Sequence, residues 1–269
     1  MKKITFSKKE GKLSHIALEL FDELNYSALM KAFRNKDVKV NGKRVSKDCR
    51  INTCDMVEIY FAPTTIEKFN VIFSNDDVIV VDKKSGFTSE SVYEDLHKEN
   101  NNCKFIHRLD KNTSGLMIFA LNEKSEKELL LGFKNRTFEK YYLAEVIGAP
   151  KEKEQILTAY LFKDAQNSLV KIYPRAVKGS VKIVTGYKVI KTSEKTSTLL
   201  VTLYTGKTHQ IRAHLAYIGN AIVGDGKYGD NAFNKQYGAK SQMLTASKLV
   251  LHFDKNSPLF YLDGKVFEL

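Results

Sequence analysis

The stretch "HRLDKNTSGLMIFALN", residues 107–122, decides how the rest of the chain is read. Charged and polar residues, among them His107, Arg108 and Asp110, run into a turn of small residues, Thr113, Ser114 and Gly115. An apolar run follows that reads as a buried strand, and Asn122 then caps a helix through Phe133. Such a junction stands either at a plain surface turn or at the rim of an active site. Outward from it, "DDVIVVDKKSG" (76–86), "KYYLAEVIG" (140–148), "VKIVTGYKVI" (181–190) and "STLLVTLYTG" (197–206) are rich in β-branched and aromatic residues and predict strands. "THQIRAHLAYIG" (208–219) predicts a helix with Ile211, Leu215 and Ile218 inward and Gly219 closing its C-terminus. Strands dominate, helices interrupt them and no fixed-period repeat occurs, so the fold class is α+β.

A small basic module precedes this part. Leu13, Ile16, Leu20 and Leu24 recur at helical spacing, and Tyr26, Leu29, Met30 and Phe33 predict a second helix with Ser27 as N-cap. "DVKVNGKRV" (37–45) predicts a hairpin about Asn41-Gly42, and "DMVEIYF" (55–61) a closing strand. The expected organisation is a front module over 1–61, a linker over 62–69 and a large domain over 70–269.

The 269 residues carry 43 Lys and Arg against 31 Asp and Glu, a net charge of +12. The front module alone holds 13 basic and 8 acidic residues. Excess positive charge favours a polyanionic partner, because each neutralised phosphate releases counterions. Cys49, Cys54 and Cys103 have no metal-binding or redox spacing. No stretch approaches the ~18 apolar residues of a membrane helix, and the basic start has no apolar core. The cytoplasm is the expected compartment, with no membrane partner.

Several short motifs fail on inspection. "TGKT" (205–208) resembles the tail of a phosphate-binding loop, but Val201 stands where that loop needs glycine. "HRLDKN" differs from the kinase catalytic loop by Leu109 between Arg and Asp, and no D-F-G follows. His209 and His214, five apart on a helix, face different ways and have no completing carboxylate, so no metal site is expected.

Three long segments carry a family resemblance. Residues 107–116 fit H-R-L-D-x-x-T-S-G-L at every fixed position. Residues 205–229 fit T-G-R-T-H-Q-I-R-x-H-L-x-x-I-G-x-P-I-x-G-D-x-x-Y-G except at Lys207 and Ala221. "FKNRTFEKYYLAEVIG" (133–148) fits F-x-x-R-x-x-x-K-x-Y-x-A-x-V-x-G. Over roughly 70–260 the chain thus resembles the RluA-type pseudouridine synthases. Through "SALMKAFRNKDVKVNGKRV" (27–45) the front module resembles the alpha-L (S-four-like) RNA-binding domain, although Cys54 stands where glycine is usual. Two further departures are the absent proline in "DKKSG" (82–86) and Thr245, where the family often has histidine.

The resemblance implies a mixed, largely antiparallel sheet with flanking helices and a central cleft. It also implies an isomerase that turns uridine in RNA into pseudouridine on a flipped-out base. That chemistry needs no metal or redox cofactor. It implies Asp110 as the essential carboxylate, covalent or proton-abstracting, and Arg212 as the cation that keeps it ionised against the penalty of burial. Tyr142 is expected as a third catalytic residue, stacking on the target base and serving as acid or base, and Arg108 would fill the place the base vacates. Further RNA contacts are expected at His107, Lys140, Lys207 and His209, and in the front module at Lys31, Arg34, Lys39, Lys43 and Arg44. The expected partner is large-subunit ribosomal RNA, with transfer RNA second, and the expected state is a monomer. The competing reading is a non-catalytic RNA-binding or ribosome-assembly factor that keeps the fold.

Overall fold

The computed structural model describes residues 1–21, 23–62, 67–164, 166 and 169–269. It divides into two compact units, Met1–Glu67 and Lys68–Leu269. Residues 63–66 of the expected linker lie outside the described residues.

The front unit runs β1 (Lys2–Phe6), β2 (Gly11–Lys12), α1 (Leu13–Leu20), α2 (Tyr26–Arg34), β3 (Val38–Val40), β4 (Lys43–Val45), β5 (Arg50–Ile51) and β6 (Val57–Phe61). Four strands pair in the order β1-β6-β3-β4, and β2 pairs with β5. The expected hairpin forms: Val38 pairs with Val45 and Val40 with Lys43. Asn41 and Gly42 both take positive φ, at 51° and 76°, as a two-residue turn of this twist requires. One sheet face buries Ile4, Val38, Val57 and Ile59 against Leu13, Leu29 and Phe33 of the two helices. The α2 N-cap differs from the sequence reading. Asn25, rather than Ser27, accepts the Ala28 N–H at 2.8 Å, because the helix starts one residue before Ser27.

The large unit runs β7 (Phe69–Ser74), β8 (Val78–Lys83), α3 (Ser89–Glu99), β9 (Ser114–Ala120), α4 (Glu123–Asn135), β10 (Glu139–Ile147), β11 (Glu154–Asp164), β12 (Leu169–Tyr173), β13 (Val181–Thr192), β14 (Thr196–Leu203), α5 (Gln210–Tyr217), α6 (Asn231–Tyr237), β15 (Leu244–Val250) and β16 (Val266–Glu268). One sheet takes the order β12-β11-β13-β14-β10-β15-β9-β8-β7, with β16 added to β15. Every pairing is antiparallel except β15 with β9, where Thr245 meets Ser114 and Ala246 meets Gly115. The mixed, largely antiparallel α+β architecture is therefore present.

That parallel contact explains a glycine. Gly115 has φ 112°, and a Cβ there would lie 2.3 Å from the Ala246 carbonyl oxygen. Only glycine permits β9 to come so close to β15. Helix α4 begins as expected, with Asn122 accepting the Ser125 N–H at 2.9 Å. Helix α5 departs from the amphipathic reading: Gln210, Arg212 and His214 are buried along with Ile211 and Leu215. Its boundary residue is Ile218, and Gly219 follows in the left-handed conformation. Strands β12 and β11 lie toward one edge of the sheet, and Val92 and Leu96 of helix α3 join the core with Val81 and Phe119; the sequence patterns above contain neither the two strands nor the helix.

Candidate active site

The loop between α3 and β9 carries Asp110. Its C-terminal side is closed by the Thr113 N–H, which donates to the Asp110 carbonyl at 3.0 Å. Thr113 is itself buried and accepts from the Gln242 side chain at 2.9 Å. Ser114 and Thr245 share a hydroxyl hydrogen bond of 2.8 Å, so the threonine that replaces the family's histidine still ties β15 to the loop. On the other side, Ser89 on α3 accepts the Leu109 N–H and donates to its carbonyl, both at 2.9 Å.

Beneath the loop lies Lys83, at the end of β8 and fully buried. Its ammonium donates to the carbonyls of Lys84, Phe87 and Lys111 at 3.1, 2.9 and 3.2 Å. Burial pulls its pKa down to about 8, opposed by the charges of Asp110 and Asp82. The residue after it, where the family often has proline, uses its N–H: Lys84 donates to the Lys68 carbonyl at 2.8 Å.

Helix α5 presents Arg212 to this loop. The guanidinium is buried, yet its Nη1 donates to Asp110 Oδ2 at 2.8 Å. Nε and Nη2 donate to the two oxygens of Asp225 at 2.7 and 2.9 Å. Burial works against the Arg212 charge, but the hydrogen bonds it donates to Asp225 and Asp110 outweigh it and raise its pKa. Asp225 is also buried; Arg212 and the N–H groups of Lys227 and Tyr228 overcome that burial and hold its carboxyl below the usual carboxylate range. The result is a clamped arginine with one N–H edge left for Asp110.

His209 precedes α5 in the left-handed conformation, φ 55°. Tyr228 accepts the Val170 N–H at 2.9 Å, and its hydroxyl shares a hydrogen bond with His209 Nδ1, also at 2.9 Å. His209 Nε2 faces Asp110 Oδ2 at 3.8 Å. Burial lowers its pKa, opposed by the Asp110 charge. Gln210 pins the preceding loop by bonding Thr205, Thr185 and the Lys207 N–H. His214 points elsewhere, toward Thr185, and burial pushes it down to about 4.

From β10, Tyr142 enters the same space, while Tyr141 faces the other way and bonds Glu139. Burial, reinforced by the Asp110 charge, raises the Tyr142 pKa, so its phenol keeps its proton through the neutral range.

Asp110, Tyr142, His209, Gln210 and Arg212 line a cavity of about 470 Å³, within the usual range for a small-molecule site. Of the expected residues, His107, Arg108, Asp110, Lys140, Tyr142, Lys207, His209 and Arg212 all line it. His107 is tied inward: its Nε2 accepts the Ile118 N–H at 3.1 Å and its ring stacks on Phe133 at 4.4 Å. Burial pushes it down to about 3. Arg108 is exposed and pairs loosely with Glu90 at 3.2 Å. Lys31, Arg34, Lys39, Lys43 and Arg44 belong to the front unit. Lys83, Asp225 and Tyr228 were not singled out from sequence. The last two stand in "GDGKYG" (224–229), at the end of the segment 205–229, and their contacts with Arg212 and His209 give them a part.

The family model described as RNA pseudouridylate synthase matches residues 77–217, just over half of the chain. This chain belongs to that family. It is similar to the ribosomal large subunit pseudouridine synthase C of Vibrio vulnificus, 28% identical over 254 residues that cover 83% of this chain and 79% of the relative. An uncharacterised RNA pseudouridine synthase of Chlorobaculum parvum is 30% identical, over 86% of this chain and 79% of its own. Among solved structures, human RNA Pseudouridylate Synthase Domain Containing 1 superposes with a TM-score of 0.64 at 23% identity, over 78% of this chain and 85% of that one, and shows the shared fold. As a pseudouridine synthase the chain is an isomerase acting on RNA. No helix among the described residues is long and apolar enough to cross a membrane.

Proposed function

We propose that this pseudouridine synthase modifies large-subunit ribosomal RNA in the cytoplasm, acting as a monomer with Asp110 as its catalytic carboxylate. The observation that carries this reading is the arginine clamp: Asp225 holds two edges of Arg212, and the third meets Asp110 at 2.8 Å on the wall of a base-sized cavity. The Arg212 hydrogen bond fixes the Asp110 carboxylate on the cavity wall, where it can meet the sugar or base of a flipped uridine. Tyr142, neutral and inward, stacks on that uracil, and exposed Arg108 replaces it in the RNA.

The ribosomal target is supported by relatives named for the large ribosomal subunit. The front unit acts as an alpha-L RNA-binding domain, with the α2 and hairpin cations adding phosphate affinity. The test uses transcribed, unmodified large-subunit ribosomal RNA and carbodiimide mapping of pseudouridine. Asp110→Asn should lose on the order of 10⁴-fold in rate while retaining RNA affinity. Pseudouridine formed by that variant at the wild-type rate would refute the assignment.

A further inference from the structure

We propose that Arg136, with Lys134 and Lys140, forms an anion subsite on the cavity wall that grips a backbone phosphate next to the flipped uridine. The inference rests on the pseudouridine-forming reading of the cavity and adds a determinant to it.

The first observation is conformational. Helix α4 ends on Arg136 with φ 59° and ψ 36°, a left-handed position that helices usually fill with glycine. Its N–H closes the helix onto the Gly132 carbonyl, so the backbone geometry needs no side chain there. Among the described residues of the large unit, the other non-glycine residue with positive φ is His209. Both line the same cavity. Strain retained at non-glycine positions concentrates where the side chain itself is used.

The second observation is electrostatic and independent of the first. Lys134, Arg136 and Lys140 all line the cavity, and none has an ion-pair partner among the described residues. Asp110 is the one carboxylate among the described lining residues, and Arg212 already holds it. Lys140 lies over the Phe133 ring at 5.5 Å, and burial followed by repulsion from Arg136 lowers its pKa. Like charges gathered without a counter-charge destabilise the free protein, and a bound anion relieves them. Phosphate suits this wall, because a guanidinium offers it two parallel N–H bonds and each lysine a further charge.

The third observation fixes the reach of the subsite. Phe133 sits between His107 and Lys140, stacked on one and beneath the ammonium of the other. His107 is bonded to β9 and begins the loop that carries Asp110. The cationic wall is therefore packed against the catalytic loop rather than hung on a free segment.

Arg136→Gly and Arg136→Gln separate charge from conformation. In filter binding to unmodified transcribed large-subunit ribosomal RNA, both should weaken affinity about tenfold. The slope of log K against log salt should become shallower by about 0.7–0.9 in both, the loss of one phosphate contact. Only the glycine variant should gain thermal stability, about 2–4 °C in Tm, because relief of the left-handed strain outweighs the extra freedom glycine gives the unfolded chain. Wild-type affinity and slope in both variants would overturn the subsite. So would a loss in Arg136→Gly that Arg136→Gln does not share, since that would trace to backbone rather than charge. The readout is binding, so it decides the subsite whatever the modification assay gives. A protein that binds RNA through Arg136 but forms no pseudouridine would refute the reading of the cavity and leave the subsite standing.

Discussion

In the large unit, Arg212 is withdrawn from water and three of its N–H groups meet carboxylate oxygens. In the front unit, Lys31, Arg34, Lys43 and Arg44 stand exposed, and Lys39 rests beside the Tyr60 ring at 5.4 Å. The same kind of charge does different work in the two places. A buried cation has one geometry, and removing a partner leaves the other charge stranded. Exposed cations keep their hydration, act almost independently, and contribute to an RNA partner in increments that salt erodes.

The sharpest test of that contrast is Asp225→Ala. It strands two buried edges of Arg212, and we expect about 3–5 kcal/mol of lost stability in urea unfolding, with activity falling in the fraction that stays folded. A loss below about 1 kcal/mol would show that Arg212 finds other partners and that the clamp is not a unit.

A smaller effect of the same origin follows from the buried imidazoles. His214 titrates near 4 when folded and near 6.5 when unfolded, so between those values the unfolded chain binds the extra proton. Its contribution is present above pH 6.5 and is lost as the pH falls toward 4, roughly 3 kcal/mol in all. His107 adds to the same trend down to about 3. Urea titrations at pH 7 and pH 4.5 should differ accordingly, and His214→Gln should flatten the difference. An unchanged difference in that variant would show that folding does not lower the titration of this ring.

The smallest expected effects lie in the front unit. Lys43→Ala and Arg44→Ala should each weaken RNA binding about two- to threefold, lower the salt slope by about 0.7–0.9, and leave kcat unchanged. A fall in kcat from either would mean that the front unit touches the chemistry.

What the sequence disclosed follows the same division. Apolar alternation and turn chemistry gave β8, β9, β10, β13 and β14, the α4 cap at Asn122 and the Asn41-Gly42 hairpin, because these depend on neighbours along the chain. The pairing of Asp110 with Arg212, 102 residues apart, came through the family resemblance rather than through local pattern. The α2 cap was misplaced by two residues because Asn25 and Ser27 are both good caps and only the fold selects between them. Helix α5 read as amphipathic because its polar residues look solvent-facing. Their partners, Thr185, Asp225 and Asp110, come from distant elements. Lys83 escaped notice for a related reason: three backbone carbonyls hold it, and carbonyls leave no mark in a residue pattern.

The close approach of Gly115 to Ala246 has a consequence for how the reacting groups keep their spacing. Two antiparallel leaves, β7-β8-β9 on one side and β12 through β15 on the other, are stitched along a single short parallel seam. Asp110 hangs just ahead of the first leaf, while Tyr142 is planted in the second. A methyl group at position 115 would act as a wedge in that seam, separating carboxylate from phenol without altering any atom that meets the RNA. The smallest side chain in the motif thus sets the gauge of the machine.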